Sequence, residues 1–202
     1  MKTENKVLMA QSREALDGNW GIAVGATVIF MLVSMVAGTV PFGQLIVGGP
    51  MSFGIAMFFL ALSRKQVPTI ADVFKGFNYF INTFVAMFLV SLYTFLWMLL
   101  LIVPGIIAAI SYSQVFFILV ENPSMSASEA IAKSKIMMSG YKMKFFLLGF
   151  RFLGWAILSA FTLGIGFLWL IPYMQVTFAK FHDDIKNGDT GTPAQISNEV
   201  VA

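Results

Sequence analysis

Residues able to do chemistry are few in this chain of 202 residues, and they are scattered. One histidine is present, His182, followed by Asp183 and Asp184, and this is the only cluster with metal-ligand chemistry. It follows the last apolar run, so a solvated helix end is expected there rather than a metal or acid–base site. Cysteine is absent, which excludes disulfides and thiolate ligands. Ser34, Ser91 and Ser159 lie within apolar runs, with no histidine or lysine placed to activate them. Every Asp and Glu lies outside those runs, which argues against an intramembrane aspartyl site and against an ion pathway built on acids. Gly48-Gly49-Pro50 reads as a kink within a span rather than a phosphate loop. No catalytic residue, metal ligand or cofactor is therefore expected.

Two sets of residues are left as candidates for binding. Lys142, Lys144 and Arg151 surround the start of an apolar run, with Arg151 roughly 10 Å beyond Lys144 along a helix. A guanidinium that deep must reach the interface or meet a partner, so the three are expected either to anchor the span at the interface, which is favoured, or to form an anionic headgroup site. Tyr112, Ser113, Gln114, Tyr173 and Gln175 are uncharged polar residues within spans. They are expected either to line a path for an uncharged solute or to hydrogen-bond between helices, the second being favoured.

The elements that carry these residues are membrane helices. Hydrophobic residues make up 58% of the chain and charged residues 11%, against about 25% charged in a soluble domain. Mean hydropathy is +0.81. Apolar runs near 20–40, 42–62, 79–103, 105–120, 145–163 and 166–181 predict an all-α polytopic protein with about six spans in three hairpins. Residues 1–184 form one transmembrane domain in this reading, and 185–202 a disordered cytoplasmic tail. Reversals are expected near Pro41, Pro104 and Gly164–Gly166. Lys and Arg lie in the alternate connections, at the two ends, or, as Arg151 and Lys180, toward the same side within a run, so both termini are expected in the cytoplasm.

Three copies of one unit are legible. Leu16-Asp17-Gly18, Phe74-Lys75-Gly76 and Met138-Ser139-Gly140 each precede a span, and Ser12-Arg13 matches Ser134-Lys135. The stretch Ser111 to Phe117 aligns with Pro172 to Phe178, and Pro50 fits the same slot. A short amphipathic helix is expected to lead into each unit, with capping-box spacing in the second and third at Thr69/Asp72 and Ser126/Glu129. In the third, Ala127, Ala130, Ile131, Ser134, Met137 and Met138 share a face, set either in the membrane interface or against the bundle. Gly21 and Gly25 form a small-xxx-small pair, expected to serve close packing within the chain.

These units resemble the Domain of Unknown Function 975 family of bacterial integral membrane proteins. The resemblance runs from Arg13-Glu14-Ala15-Leu16-Asp17-Gly18-Asn19-Trp20 to Phe181 and is most specific from Ser134 to Tyr173. His182 departs from it, where the family more often has tyrosine. The family carries no known activity, so the resemblance implies an architecture and a bacterial cell membrane, but no reaction. A more distant similarity is to the membrane domain attached to some glycerophosphodiester phosphodiesterases. The expected function is non-catalytic binding of a partner protein, lipid or membrane-active peptide. The alternative is a small transporter or channel for an uncharged or amphipathic solute. Expected partners are membrane lipids and a protein partner or second copy, and not nucleic acid.

Overall fold

The computed structural model describes residues 3–189, whose regular secondary structure is helical, with no strand among them. In chain order the helices are α1 (Asn5–Leu16), α2 (Trp20–Gly38), α3 (Gly43–Ser63), a 3-10 segment (Ile70–Tyr79), α4 (Phe80–Leu100), α5 (Ile102–Tyr112), α6 (Val115–Glu121), α7 (Ala127–Met137), α8 (Lys142–Phe161) and α9 (Phe167–Asp189). Five stretches are long and apolar enough to cross a membrane: 20–38, 43–63, 70–100, 102–121 and 142–161. Helix α9 is not among them. Its second half carries Lys180, His182, Asp183, Asp184 and Lys186, which dilute the apolar run from Phe167.

Helix α3 is the central element. Most of its apolar stretch is buried (67%), against 22% for α2 and 17% for α8. Glycine makes this possible. A Cβ at Gly54 would lie 1.7 Å from the carbonyl oxygen of Val73, one at Gly76 1.9 Å from that of Pro50, and one at Gly49 2.3 Å from that of Thr83. Backbone therefore packs on backbone where the 3-10 segment and α4 meet α3. The glycine pair singled out by sequence does not do this. A Cβ at Gly21 would meet nothing within 4 Å, and one at Gly25 only an ordinary contact with Ile70. Spacing finds a small-residue stripe but not which helix faces it.

The reversals occur close to the expected places. Phe42 (φ 62°) opens α3, and Leu163 (φ 53°) with Gly164 (φ 86°) turns α8 into α9. Between α4 and α5 the chain turns at the extended residue Leu101, and Pro104 sits in the first turn of α5. Proline is tolerated there because first-turn amides have no helical acceptor. Both capping boxes form. Asp72 accepts from the Thr69 amide at 2.7 Å, and Glu129 accepts from the Ser126 amide at 3.0 Å. In α7, Ala127, Ala130, Ile131, Ser134 and Met137 are buried, and Met138 follows them, packed against α4, α5 and α6. The boundary expected at Asp184 is corrected: α9 continues through 185–189. The rest of the expected tail, 190–202, lies outside the described residues.

Candidate functional site

Helices α3, α6 and α9, with Phe30 of α2 and Phe145 of α8, border a small central cavity of about 260 Å³. Ser52 of α3, Ser113 and Gln114 at the α5–α6 junction, and Gln175 of α9 supply its polar lining; Ile55, Phe117, Phe145 and Phe178 are among its apolar walls. At the junction the helix tightens. The Ser113 amide donates to the Ile110 carbonyl, one residue nearer than the acceptor of a regular α-helical bond, and Gln114 is fully buried. Gln114 Nε2 donates to Ser113 Oγ at 2.9 Å, and its Oε1 lies 3.1 Å from Nδ1 of His182.

His182 is thus not at a solvated helix end. It is fully buried, stacked on Phe117 with ring centroids 5.3 Å apart. The physical reason is the length of α9, which carries residue 182 into contact with α6 instead of ending before it. His182 Nε2 faces Glu121 Oε2 at 3.5 Å and has no hydrogen-bond partner among the described residues. Glu121 also pairs with Arg64 at 2.6 Å and Lys186 at 2.7 Å, and Arg64 pairs with Asp183 at 2.7 Å. The bonds from Asp183, and then Glu121, raise the Arg64 guanidinium above its ordinary pKa. This cluster closes the end of the bundle next to the central cavity. Sequence reasoning missed it because Glu121 and Arg64 end different spans. A signal existed: continuing the alignment of Ser111–Phe117 with Pro172–Phe178 sets Glu121 opposite His182.

The five polar-path residues do not share one path. Ser113, Gln114 and Gln175 line the central cavity. Tyr112 faces an outer groove of about 290 Å³ with Trp97, Pro104, Lys135 and Lys142, and the Lys135 ammonium lies 5.5 Å from its ring centre. Tyr173 faces another outer groove of about 360 Å³, with Arg13, Trp20, Trp155, Leu170 and Trp169. Here the Arg13 guanidinium lies 5.4 Å from the Tyr173 ring centre, and Tyr173 Oη donates to the Met9 carbonyl at 3.3 Å. The spacing that put the tyrosines beside Ser113 and Gln175 in sequence puts them on other faces of their helices.

The three candidate headgroup residues also divide. Lys144 and Arg151 line a cavity of about 590 Å³ together with Thr3, Glu4, Asn5, Lys6 and Leu147. They are seven positions apart on α8, about two full turns, and so share a face. Lys142 is nine positions from Arg151, about two and a half turns, and opens on the groove of Tyr112 instead. Lys144 is held by Asp184 at 2.6 Å, and Asp184 also accepts bonds from Thr3. Arg151 has no ion pair among the described residues. No group of three or more His, Asp or Glu among them could hold a metal ion.

Residues 98–189 match the model of a family described as a protein of unknown function (DUF975). No curated protein and no solved structure matches the chain. The match begins near the end of α4, so the stretch from Arg13 to Trp97, where the resemblance was also read, lies outside it. Over residues 98–189, through the end of α9, the chain is similar to the DUF975 family.

Proposed function

We propose that this chain is a non-catalytic integral protein of the bacterial cell membrane that binds membrane lipid. The observation that carries the reading is the basic cavity between α1 and α8. Lys6 and Arg151 face it without a carboxylate partner among the described residues, and Lys144 borders it. A charge so placed at the edge of an apolar span is satisfied by an anionic headgroup. Native-nanodisc purification with lipid mass spectrometry tests this. Anionic phospholipid should be enriched over the surrounding membrane, and prolonged incubation should leave the lipid profile unchanged. No enrichment, or a new lipid product lost in His182→Ala, overturns the reading.

The architecture in this reading has six spans, α9 being the sixth through its apolar half, and a threefold repeat. Several placements support it. Gly18 (φ 74°) and Gly140 (φ 76°) make the same left-handed turn before α2 and α8. Arg13 over Tyr173 matches Lys135 over Tyr112. Gln114 and Gln175, as well as Glu121 and His182, recur at one spacing and face the same central region. Each short helix packs on a hairpin: the 3-10 segment on α2 and α3, α7 on α4 to α6, and α1 on α9. Both ends are placed in the cytoplasm by the one-sided basic residues. The chain lacks native cysteine, so single-cysteine labelling tests this cleanly. Phe42→Cys should label from outside intact cells and Lys135→Cys should not; the reverse pattern overturns the topology.

A second reading, carriage of a small uncharged solute, is favoured by the polar lining of the central cavity at Ser52, Ser113, Gln114 and Gln175. Against it, the Arg64–Glu121–Asp183 cluster caps one end of that space. Solute uptake into proteoliposomes that rises when Arg64 is replaced by alanine would favour carriage.

A further inference from the structure

The basic cavity and the tryptophan groove lie on one face of α8. Lys144, Leu147 and Arg151 line the first, and Trp155, Leu158, Ser159 and Thr162 the second. These residues recur every three or four positions, which is one continuous helical stripe. Arg151 and Trp155, where the two meet, are a single turn apart. The opposite wall repeats the order: Lys6 of α1 lines the basic cavity and Arg13, two turns on, the tryptophan groove. Helix α9 packs on both α1 and α8 and supplies Leu170 and Tyr173. The result is a furrow, basic at one end and apolar at the other.

Of the charges along it, Lys144 is held by Asp184 and Glu4 lies at the basic end, while the remaining cations are without an ion pair among the described residues. Arg64, Lys65, Lys75, Lys144 and Lys186 each pair with a carboxylate. Lys6, Arg13 and Arg151 have no carboxylate partner among the described residues. The polar groups on the apolar stretch are already satisfied: Ser159 Oγ donates to the Trp155 carbonyl at 2.8 Å, and Thr162 Oγ1 donates to the Ser159 carbonyl at 2.7 Å. What the furrow lacks is an anion at its middle and an apolar body along Trp155, Trp20 and Trp169. Its tryptophan groove, about 360 Å³, is within the usual range for a small-ligand site.

We propose that this furrow seats one anionic phospholipid, with the phosphate between Arg151 and Arg13 and an acyl chain along Trp155, Leu158, Leu170 and Trp169. The proposal rests on the lipid-binding reading and adds the ligand's charge, its position and its chain path. Tryptophan supplies the probe. Trp20, Trp155 and Trp169 line the furrow, whereas Trp97 lines the other groove. Variants retaining only Trp155 or only Trp97, the others replaced by phenylalanine, are placed in nanodiscs of unlabelled phosphatidylcholine. Phosphatidylglycerol or phosphatidylcholine with brominated chains is then titrated in.

Brominated phosphatidylglycerol should quench Trp155 saturably, with a preference over phosphatidylcholine of about tenfold, the scale of one charge-assisted contact. Trp97 should show a smaller preference. Arg13→Gln with Arg151→Gln should abolish the Trp155 preference, and the double lysine variant should keep most of it. Equal quenching of Trp155 by the two lipids overturns the proposal, as does a preference that survives the double glutamine variant. If anionic lipid still co-purifies in that case, lipid binding stands and only the furrow is wrong. If it does not, both fail.

Discussion

Two short segments pack on hairpins in opposite ways. The 3-10 segment meets α3 backbone to backbone, with Gly54 and Gly76 leaving no room for even a methyl group. Helix α1 meets α9 through the Tyr173–Met9 hydrogen bond and the Arg13–Tyr173 contact, and leaves an open groove beside α8. On the proposed repeat, the positions of Arg13 and Tyr173 correspond to Ala71 and Met51 at the sealed seam. Where the cation and the ring are replaced by small or apolar residues, the two elements close together. Where they are present, α1 still packs on α9, and an aromatic-walled groove with Arg13 lies beside that contact. In the proposed reading, the first seam serves stability and the second serves binding.

That assignment breaks first at the sealed seam. Gly54→Ala puts a methyl 1.7 Å from the Val73 carbonyl oxygen, on backbone that cannot swing away as a side chain would. Overpacking of this kind should cost about 3 kcal/mol. The thermal midpoint in detergent should fall sharply, while the protein that remains folded keeps its lipid preference. A near-native midpoint would mean the seam is looser than its geometry. Gly18→Ala, at an open site with φ 74°, should cost about 1 kcal/mol from backbone strain alone.

The cluster that caps the central cavity should fall between these in effect. Glu121→Gln removes the carboxylate shared by Arg64 and Lys186 and faced by His182. Arg64 keeps Asp183 and is partly exposed, so the loss is smaller than for a fully buried pair, about 2 kcal/mol. Thermal unfolding of Glu121→Gln beside Asp183→Asn separates the two contacts, and Glu121→Gln should be the more damaging. At the open seam the expected changes are in binding. Arg13→Gln should weaken anionic-lipid preference more than Lys135→Gln, because Arg13 lines the proposed furrow and Lys135 the other groove. Neither should shift the thermal midpoint much.

How far these features were legible depends on whether they are periodic. The helices, the reversals and both capping boxes follow from runs, prolines, glycines and fixed local spacings, and the structure has them in place. The buried face of α7 was readable for the same reason, since Ala127, Ala130, Ile131, Ser134 and Met137 repeat with the helix. The site was less legible. Lys142, Lys144 and Arg151 look like one patch along the chain, but a helix separates Lys142 from Arg151 by half a turn. His182 looked like a frayed end because its partners, Gln114 and Glu121, are remote in sequence. The furrow was invisible because its walls come from α1 and α8, which only the packing of both against α9 brings together.

The smallest expected effect concerns how the short segments begin. The 3-10 segment and α7 each start with a capping box, whereas α1 has no side-chain cap at Glu4. The two that pack closely are therefore locally fixed, and the one that walls the furrow is not. In α7 the Ser126 hydroxyl, and then its amide, hold the Glu129 carboxyl below the usual carboxylate range. A carboxyl whose folded pKa is depressed adds stability that is fully present above its unfolded value, about 4.3 for glutamate. That contribution is lost as pH falls through the lower folded value. Glu129→Gln should then be slightly less stable than the native chain near neutral pH, and the gap should shrink on acidification. Thermal unfolding of the two proteins across acidic pH checks this. A gap for Glu129→Gln that stays constant with pH would mean the box contributes through shape alone, and that charge at the start of α7 does not distinguish it from α1.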